Sequence, residues 1–154
     1  AQEIQVILAG KGPLEKKYRK LAEKLPNPIV MSFYEPARLL DILHMADLYV
    51  HTSDAEIEAM SCMEAFACGL VPVIADSPRS ATPQFALDER SLFPAGDTDA
   101  LAARIDWWIE HPEERREMER RYAEHARQYS LEASIRKTEE MFRQAIAEQR
   151  GARA

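Results

Sequence analysis

The feature of this sequence that most constrains its fold is a regular alternation of strand-like and helix-like segments. The apolar, β-branched segment IQVILAG is followed by the turn GKGP and then by PLEKKYRKLAEKL, whose apolar residues recur at the period of a helix. Three more strand-like segments, NPIVMSF, DLYVHTS and LVPVIAD, follow with helical segments between them. Strands that alternate with helices predict a parallel sheet covered on both faces and joined by right-handed crossovers. We therefore expect a doubly wound α/β fold.

The second half of the chain has a different pattern. After Asp76 a long connection is expected to contain one or two helical turns and a short strand around Ser91 to Phe93. Three helices are predicted beyond it, DTDALAARIDWWIEH, PEERREMERRYAEHARQY and SLEASIRKTEEMFRQAIAEQ, the last of them opened by Ser130 as an N-cap. The tail, residues 150–154, is expected to fray. The parallel sheet thus carries a helical C-terminal extension.

Composition limits the functions open to this chain. Its 154 residues carry a net charge of −6, with acidic and basic side chains interspersed, which argues against a surface for polymeric nucleic acid. No apolar run approaches the roughly 20 residues that span a bilayer, and no signal-peptide pattern opens the chain, so we expect a cytoplasmic location. Because the sequence starts almost directly in a strand and without a methionine, we interpret residues 1–154 as one domain truncated at its N-terminus.

The two cysteines of the chain raise the question of a disulfide or a metal site. Cys62 and Cys68 lie on different faces of one predicted helix, so we expect two buried, reduced thiols rather than a bridge. Together with Glu64 they have no histidine at ligand spacing, and thiolates would favour zinc over calcium. We therefore expect no metal site.

Ligands of open parallel α/β sheets bind beyond the carboxyl ends of the strands, where loops lead into helices. Four segments of this chain meet that description, namely 10–13, 32–36, 51–61 and 76–82. In the first, Gly10 and Gly12 lack the rest of a dinucleotide fingerprint, and the lysine loop of nucleoside triphosphatases is not present. These glycines either contact a ligand or serve backbone conformation and close packing.

The glutamates of the third segment are more informative. If the helix begins at Ala59 or Met60, Glu56 and Glu58 lie on the preceding loop and Glu64 about one turn inside the helix. Carboxylates at Glu56 and Glu64 can accept hydrogen bonds from sugar hydroxyls, and the helix N-terminus between them can bind a phosphate. The alternative is that Glu56 and Glu58 cap the helix while Glu64 lies at the surface. Spacing alone favours that alternative.

The segment TSDAEIEAMSCMEAFACGLVPVIAD combines a serine, a loop glutamate, seven residues, a second glutamate that opens EAxAxG, and then PVIA. In this pattern the sequence resembles the C-terminal, donor-binding half of GT-B glycosyltransferases, specifically the retaining enzymes of family four. GKGP, ADLYVHTS, LFPAGDTDALAARI and YSLE fall in the order of that family. The resemblance implies a Rossmann-like domain that forms half of a GT-B fold. The segment SPRSATPQFALDERSLF is similar to bacterial enzymes of capsular or surface polysaccharide biosynthesis.

The resemblance also implies roles for individual residues. Glu56 would contact the hexose hydroxyls of a UDP- or GDP-sugar and is the best catalytic candidate, while Glu64 would contact the ribose. The backbone amides of Ala59, Met60 and Ser61 would hold the sugar or the diphosphate, and no separate cofactor is expected. The residues expected at the donor are Gly10, Gly12, Phe33, Tyr34, Glu56, Glu58, Ala59, Met60, Ser61 and Glu64.

The segment from Ser32 to Tyr34 would border the base. Glu58 and Ala59 stand where the family usually has Phe and Gly, so an extra negative charge lies near the anionic donor.

The family's diphosphate-neutralising Arg and Lys, and its N-terminal acceptor-binding domain, would precede the first residue. We therefore expect this chain to fold but to catalyse no transfer alone. The full-length protein would associate peripherally with membranes through a lipid-linked acceptor. The other reading is a non-catalytic α/β interaction module whose glutamates only cap helices.

Overall fold

The protein is described by a computed structural model that covers residues 4–151. Internal contacts divide the chain into two compact units, Ala1–Met45 and Ala46–Ala154. The order of strands and helices follows the predicted alternation through both units. Each unit contains parallel strands joined by helices, which confirms the predicted α/β class with a helical C-terminal part.

The first unit contains a two-stranded parallel sheet. Strand β1 (Ile7–Ala9) leads through the glycine turn into helix α1 (Glu15–Ala22), and β2 (Val30–Ser32) leads into helix α2 (Pro36–Met45). Ile7 pairs with Val30, and the N–H of Gly10 donates to the carbonyl of Ser32 at 2.9 Å, which continues the pairing beyond β1. Helix α1 begins two residues after Pro13, the expected first position.

The second unit is built on a three-stranded parallel sheet in the order β3-β4-β5. Strand β3 (Leu48–His51) is followed by helix α3 (Met60–Ala67), β4 (Val71–Asp76) and β5 (Leu92–Pro94). Every residue from 71 to 75 is buried, because β4 is the central strand and carries an almost continuous apolar run. The connection between β4 and β5 contains two 3-10 turns, Thr82–Phe85 and Glu89–Ser91, as predicted.

Three C-terminal helices complete the second unit. They are α4 (Thr98–Glu110), α5 (Pro112–Ala126) and, after a 3-10 turn, α6 (Leu131–Gly151). The hydroxyl of Ser130 accepts a hydrogen bond from the N–H of Ala133 at 3.2 Å, which confirms the predicted N-cap. Helix α6 continues through Gly151, two residues into the tail that was expected to fray, and residues 152–154 lie outside the described part of the chain.

The core of the second unit lies between the sheet and helices α3, α4 and α5. Phe66 packs at 5.6 Å from Phe85 and 5.9 Å from Tyr122, measured between ring centroids. Trp108 is fully buried and donates its indole N–H to the carbonyl of Arg90 at 3.2 Å. Cys62 belongs to this core.

Both cysteines are free thiols, as predicted. Cys62 is buried, but the expectation that Cys68 is buried too is wrong, because Cys68 follows the last residue of α3 and lies half-buried there. Within residues 4–151, the structure contains no helix of the length and apolar character needed to cross a bilayer.

Candidate functional site

In the first unit, the candidate residues follow the two parallel strands at the same edge of their sheet. Gly10 and Gly12 follow β1, and Phe33 and Tyr34 follow β2. A Cβ atom added to either glycine would meet nothing within 4 Å, so close packing does not require glycine at these positions. Phe33 is 64% exposed and Tyr34 is half-buried. The ligand roles expected for these four residues stay predictions.

In the second unit, the glutamates lie where the sequence placed them relative to the helix. Helix α3 begins at Met60, with Glu56 and Glu58 on the loop before it and Glu64 in its second turn. Ala59 precedes the helix with φ 50° and ψ 61°, a left-handed conformation that is unfavourable for a residue with a Cβ atom. Ala59 has no side-chain group that could cap α3. The first N–H groups of α3 therefore have no hydrogen-bond partner within the helix.

The alternative in which glutamates cap α3 does not match the hydrogen bonds of this loop. The carboxylate of Glu56 accepts a hydrogen bond from the N–H of Ile57, its neighbour in the loop, at 3.0 Å. Within residues 4–151, neither Glu56 nor Glu58 accepts a hydrogen bond from an N–H group of α3. The N-terminus of α3 is therefore open to an anion.

The loop that carries Glu56 is fixed by backbone pairing to the loop that follows β4. Glu56 and Ser80 form an isolated parallel bridge. The N–H of Glu56 donates to the carbonyl of Arg79 at 3.3 Å, and the N–H of Ala81 donates to the carbonyl of Glu56 at 2.9 Å. The backbone of Glu56 is therefore held on both sides, and the residue is half-buried.

Side chains reinforce this connection between the two loops. The buried hydroxyl of Ser77 lies 2.6 Å from the carbonyl oxygen of Asp54 and 2.8 Å from its carboxylate, so its single proton is shared between them. The guanidinium of Arg79 forms an ion pair with the same carboxylate. None of these three residues was singled out from the sequence, because their contact joins positions 23 residues apart or more.

Glu58 is the residue of this loop with the least obvious structural role. Its side chain is exposed, and in the described part of the chain it belongs to no ion pair. Residues 4–151 also contain no group of three or more His, Cys, Asp or Glu side chains that could hold a metal ion. The negative charge of Glu58 is therefore balanced by no cation among these residues.

A hydrogen-bonded group of three polar side chains connects β3 to the N-terminus of α3. The hydroxyl of Tyr49 donates to the hydroxyl of Ser61 at 2.9 Å and lies 3.1 Å from Nδ1 of His51. The rings of Tyr49 and His51 are stacked with their centroids 6.0 Å apart. The only signal of this group in the sequence is the spacing of Tyr49 and His51, which places both on one face of the strand before the glutamate motif.

The pKa values of this group reflect its burial and its neighbours. Burial raises the pKa of Tyr49 to about 12, and the nearby charges of Glu64 and Glu56 add to the shift. Burial lowers the pKa of His51, and the charge of Glu56 opposes that effect. Both side chains are therefore neutral near pH 7. Of the three glutamates expected at the donor, Glu56 and Glu64 both raise the pKa of Tyr49.

Parallel strands that end in carboxylate-bearing loops, an uncapped helix N-terminus and a helical C-terminal part match a domain of the GT-B glycosyltransferase type. The chain belongs to the family described as glycosyl transferases group 1, whose profile matches residues 1–128. It is similar to the crystal structure of the catalytic domain of cholesterol-alpha-glucosyltransferase from Helicobacter pylori, with 50% sequence identity and a TM-score of 0.77. That match covers 80% of this chain and 78% of the other. A search of curated proteins finds no match.

These matches confirm that the chain is a glycosyltransferase domain, as the glutamate motif indicated. A domain of this kind acts in transfer of a sugar from a donor to an acceptor. In the second unit, the uncapped N-terminus of α3 can bind an anion, and the carboxylates of Glu56 and Glu64 can accept hydrogen bonds from hydroxyl groups.

Proposed function

We propose that this chain is the donor-binding half of a retaining glycosyltransferase that moves a hexose from a nucleoside-diphosphate sugar to a lipid or glycan acceptor. The observation that carries this proposal is the open N-terminus of α3 between the carboxylates of Glu56 and Glu64. The donor carries both a diphosphate and hydroxyl groups. The helix N-terminus suits the first and the carboxylates suit the second.

In this proposal the backbone N–H groups at Ala59, Met60 and Ser61 hold the diphosphate or the sugar next to it. Negative charge grows on the diphosphate as the glycosidic bond breaks, so donors that are already in place stabilise the transition state more than the ground state. Glu56 accepts hydrogen bonds from the hexose and Glu64 from the ribose. The leaving phosphate helps to deprotonate the acceptor, so the transfer that we propose needs no covalent nucleophile.

The similar structure supports a choice of sugar and stereochemistry. That relative is a cholesterol-alpha-glucosyltransferase. We therefore propose glucose as the first hexose to test, with retention of the α configuration. The acceptor is a lipid in that relative, whereas the sequence of residues 77–93 suggested a surface polysaccharide, and both remain candidates for this chain. A lipid acceptor would bring the full-length protein to the cytoplasmic face of a membrane.

Calorimetric titration of the full-length protein with UDP, GDP and their glucose conjugates tests this proposal. Glu64→Ala should raise the Kd of the preferred nucleotide about 10- to 100-fold, because a hydrogen bond to a carboxylate is lost. Glu58→Ala should leave the Kd equal or lower it by about twofold, because it removes a charge that repels the diphosphate.

Glu117→Ala is the matched control, since Glu117 is an exposed glutamate of α5 away from the loop. Its Kd should equal that of the wild type. Failure of every nucleotide to bind, or an equal effect of Glu64→Ala and Glu117→Ala, would contradict the proposed donor site. We further propose that turnover requires the acceptor-binding domain, so that residues 1–154 alone transfer no sugar.

A further inference from the structure

We propose that Tyr49 and His51 position the hydroxyl of Ser61 as an additional hydrogen-bond donor to the diphosphate at the N-terminus of α3. This inference rests on the proposed function and names a positioning device within the same site. It adds an oriented side-chain donor to the backbone N–H groups that open the helix.

The first step of the argument is the geometry of the three side chains. Tyr49 and His51 lie two residues apart on β3, so they project from the same face of the sheet. The hydroxyl of Tyr49 is 3.1 Å from Nδ1 of His51 and 2.9 Å from Oγ of Ser61. One hydroxyl therefore connects a buried strand histidine to the second residue of the helix.

The second step is the direction of the hydrogen bonds. Tyr49 has one hydroxyl proton, which it donates to Oγ of Ser61. Nδ1 of His51 must then carry the proton that is donated to the oxygen of Tyr49. Since Oγ of Ser61 already accepts from Tyr49, its own proton is available to another acceptor. An anion only accepts hydrogen bonds, so its arrival at α3 favours this direction over the reverse.

The third step is the environment of His51. Its side chain is only 7% exposed, and Nε2 is buried without a hydrogen-bond partner within residues 4–151. If His51 only filled space, burying Nε2 without a hydrogen-bond partner would cost free energy that an apolar side chain of similar volume would avoid. A role for Nδ1 in orienting Tyr49 gives a reason for histidine at this position.

The fourth step concerns charge. Burial lowers the pKa of His51 and raises the pKa of Tyr49 to about 12, so both are neutral at physiological pH. The group therefore contributes a directed donor without placing a full charge behind the helix. Ser61 is itself exposed, which leaves its hydroxyl accessible to a ligand.

A double-mutant cycle in the full-length protein tests this inference with UDP and GDP as probes. Ser61→Ala and Tyr49→Phe should each raise the Kd of the bound nucleotide about tenfold, and the double variant should be no worse than Ser61→Ala alone. Ser61→Thr, which keeps the hydroxyl, should bind the nucleotide with a Kd close to that of the wild type. With the nucleotide sugar as substrate, kcat/KM should fall in parallel with nucleotide affinity.

Tyr122→Phe is the matched control for the loss of a buried tyrosine hydroxyl. That hydroxyl accepts from the N–H of Leu87 at 2.9 Å and donates to Ser91 at 3.4 Å, away from the loop. The variant Tyr122→Phe should lower the Tm and leave the Kd of the nucleotide unchanged. A purely structural role for Tyr49 predicts the same behaviour from Tyr49→Phe.

The outcomes separate the two proposals. If the wild type binds neither UDP nor GDP, the proposed function fails and this inference fails with it. If the wild type binds but Ser61→Ala binds equally well, the inference alone is overturned, and this result does not depend on how well Tyr49→Phe folds. Additive effects of Tyr49→Phe and Ser61→Ala would also overturn it, because they would show that Tyr49 does not act through Ser61.

Discussion

At the scale of single residues, the two cysteines around α3 should react differently with a thiol reagent. Burial raises the pKa of the Cys62 thiol to about 12, so almost none of it is the reactive thiolate at pH 8. Cys68 is half-buried, and burial and the charge of Glu64 raise its pKa as well. Iodoacetamide at pH 8 should modify Cys68 slowly and Cys62 only after unfolding, which peptide mass spectrometry can quantify.

The control is Cys68→Ser, which should remove the labelling of the native protein and retain that of the unfolded chain. Labelling of native Cys62 at the rate of Cys68 would contradict the buried position of Cys62.

The raised pKa of Cys62 also makes the stability of the protein depend on pH. The unfolded chain loses the Cys62 proton above its ordinary pKa of about 8.5, whereas the folded chain retains it. This contribution to the free energy of unfolding is present below that pH and is lost as the pH rises toward 12.

Residue roles were only partly predictable from the sequence. The spacing of Glu56, Glu58 and Glu64 predicted their positions relative to α3, because helix and loop positions follow local pattern. The contact between Tyr49 and Ser61 was missed, since it depends on how closely a helix packs against a strand. The left-handed conformation of Ala59 was missed as well, because alanine gives no signal of positive φ.

At the scale of secondary-structure elements, α4 depends on a side-chain cap that can be tested. The carboxylate of Asp97 accepts hydrogen bonds from the N–H groups of Asp99 at 3.1 Å and Ala100 at 2.9 Å. Asp97→Ala should therefore lower the free energy of unfolding by about 1 kcal/mol, and the Tm by about 3 °C. Asp97→Asn keeps an acceptor and should retain most of the stability in thermal and urea denaturation.

Asp106→Ala provides the control for this prediction, because Asp106 is an exposed residue inside the same helix. It should leave the Tm unchanged or raise it slightly, since alanine is the better helix former. An equal loss of stability in Asp106→Ala and Asp97→Ala would show that the cap has no specific effect.

The types and order of the elements were predictable from periodicity, but the ends of some helices were not. Helix α1 begins at Glu15 because Leu14, with φ −90° and ψ 2°, lies outside the helical region. Helix α6 continues through Gly151, although the sequence indicated an end before Arg150. Helix ends depend on the conformation of one or two residues, which hydrophobic period does not determine.

At the scale of the whole molecule, burial is distributed very unevenly among the elements. Residues 71–75 of β4 are all buried, whereas α1 and α6 contain no buried residue. Hydrogen exchange followed by mass spectrometry should therefore find the slowest amide exchange in β4 and much faster exchange in α1 and α6, because exposed elements open locally at low free energy. Exchange in α6 as slow as that in β4 would contradict this distribution.

The sequence predicted the apolar face of α1 but not its exposure. Tyr18 and Leu21 lie on that face inside α1, yet their exposed fractions are 45% and 48%. Periodicity identifies the face that a helix is able to bury. It does not tell whether the chain supplies a surface to cover that face. Burial at this scale depends on how the elements are arranged, which the pattern within one segment does not contain.

The conformation of Ala59 has a consequence for the thermodynamics of any ligand at α3. Glycine would reach the same backbone angles without steric cost, but it would also sample many others. Alanine samples fewer backbone conformations than glycine, and the steric cost of its left-handed conformation arises when the chain folds. Less conformational entropy then remains to be lost on binding. The cost of ordering the start of this helix is thus moved from the binding equilibrium to the folding equilibrium.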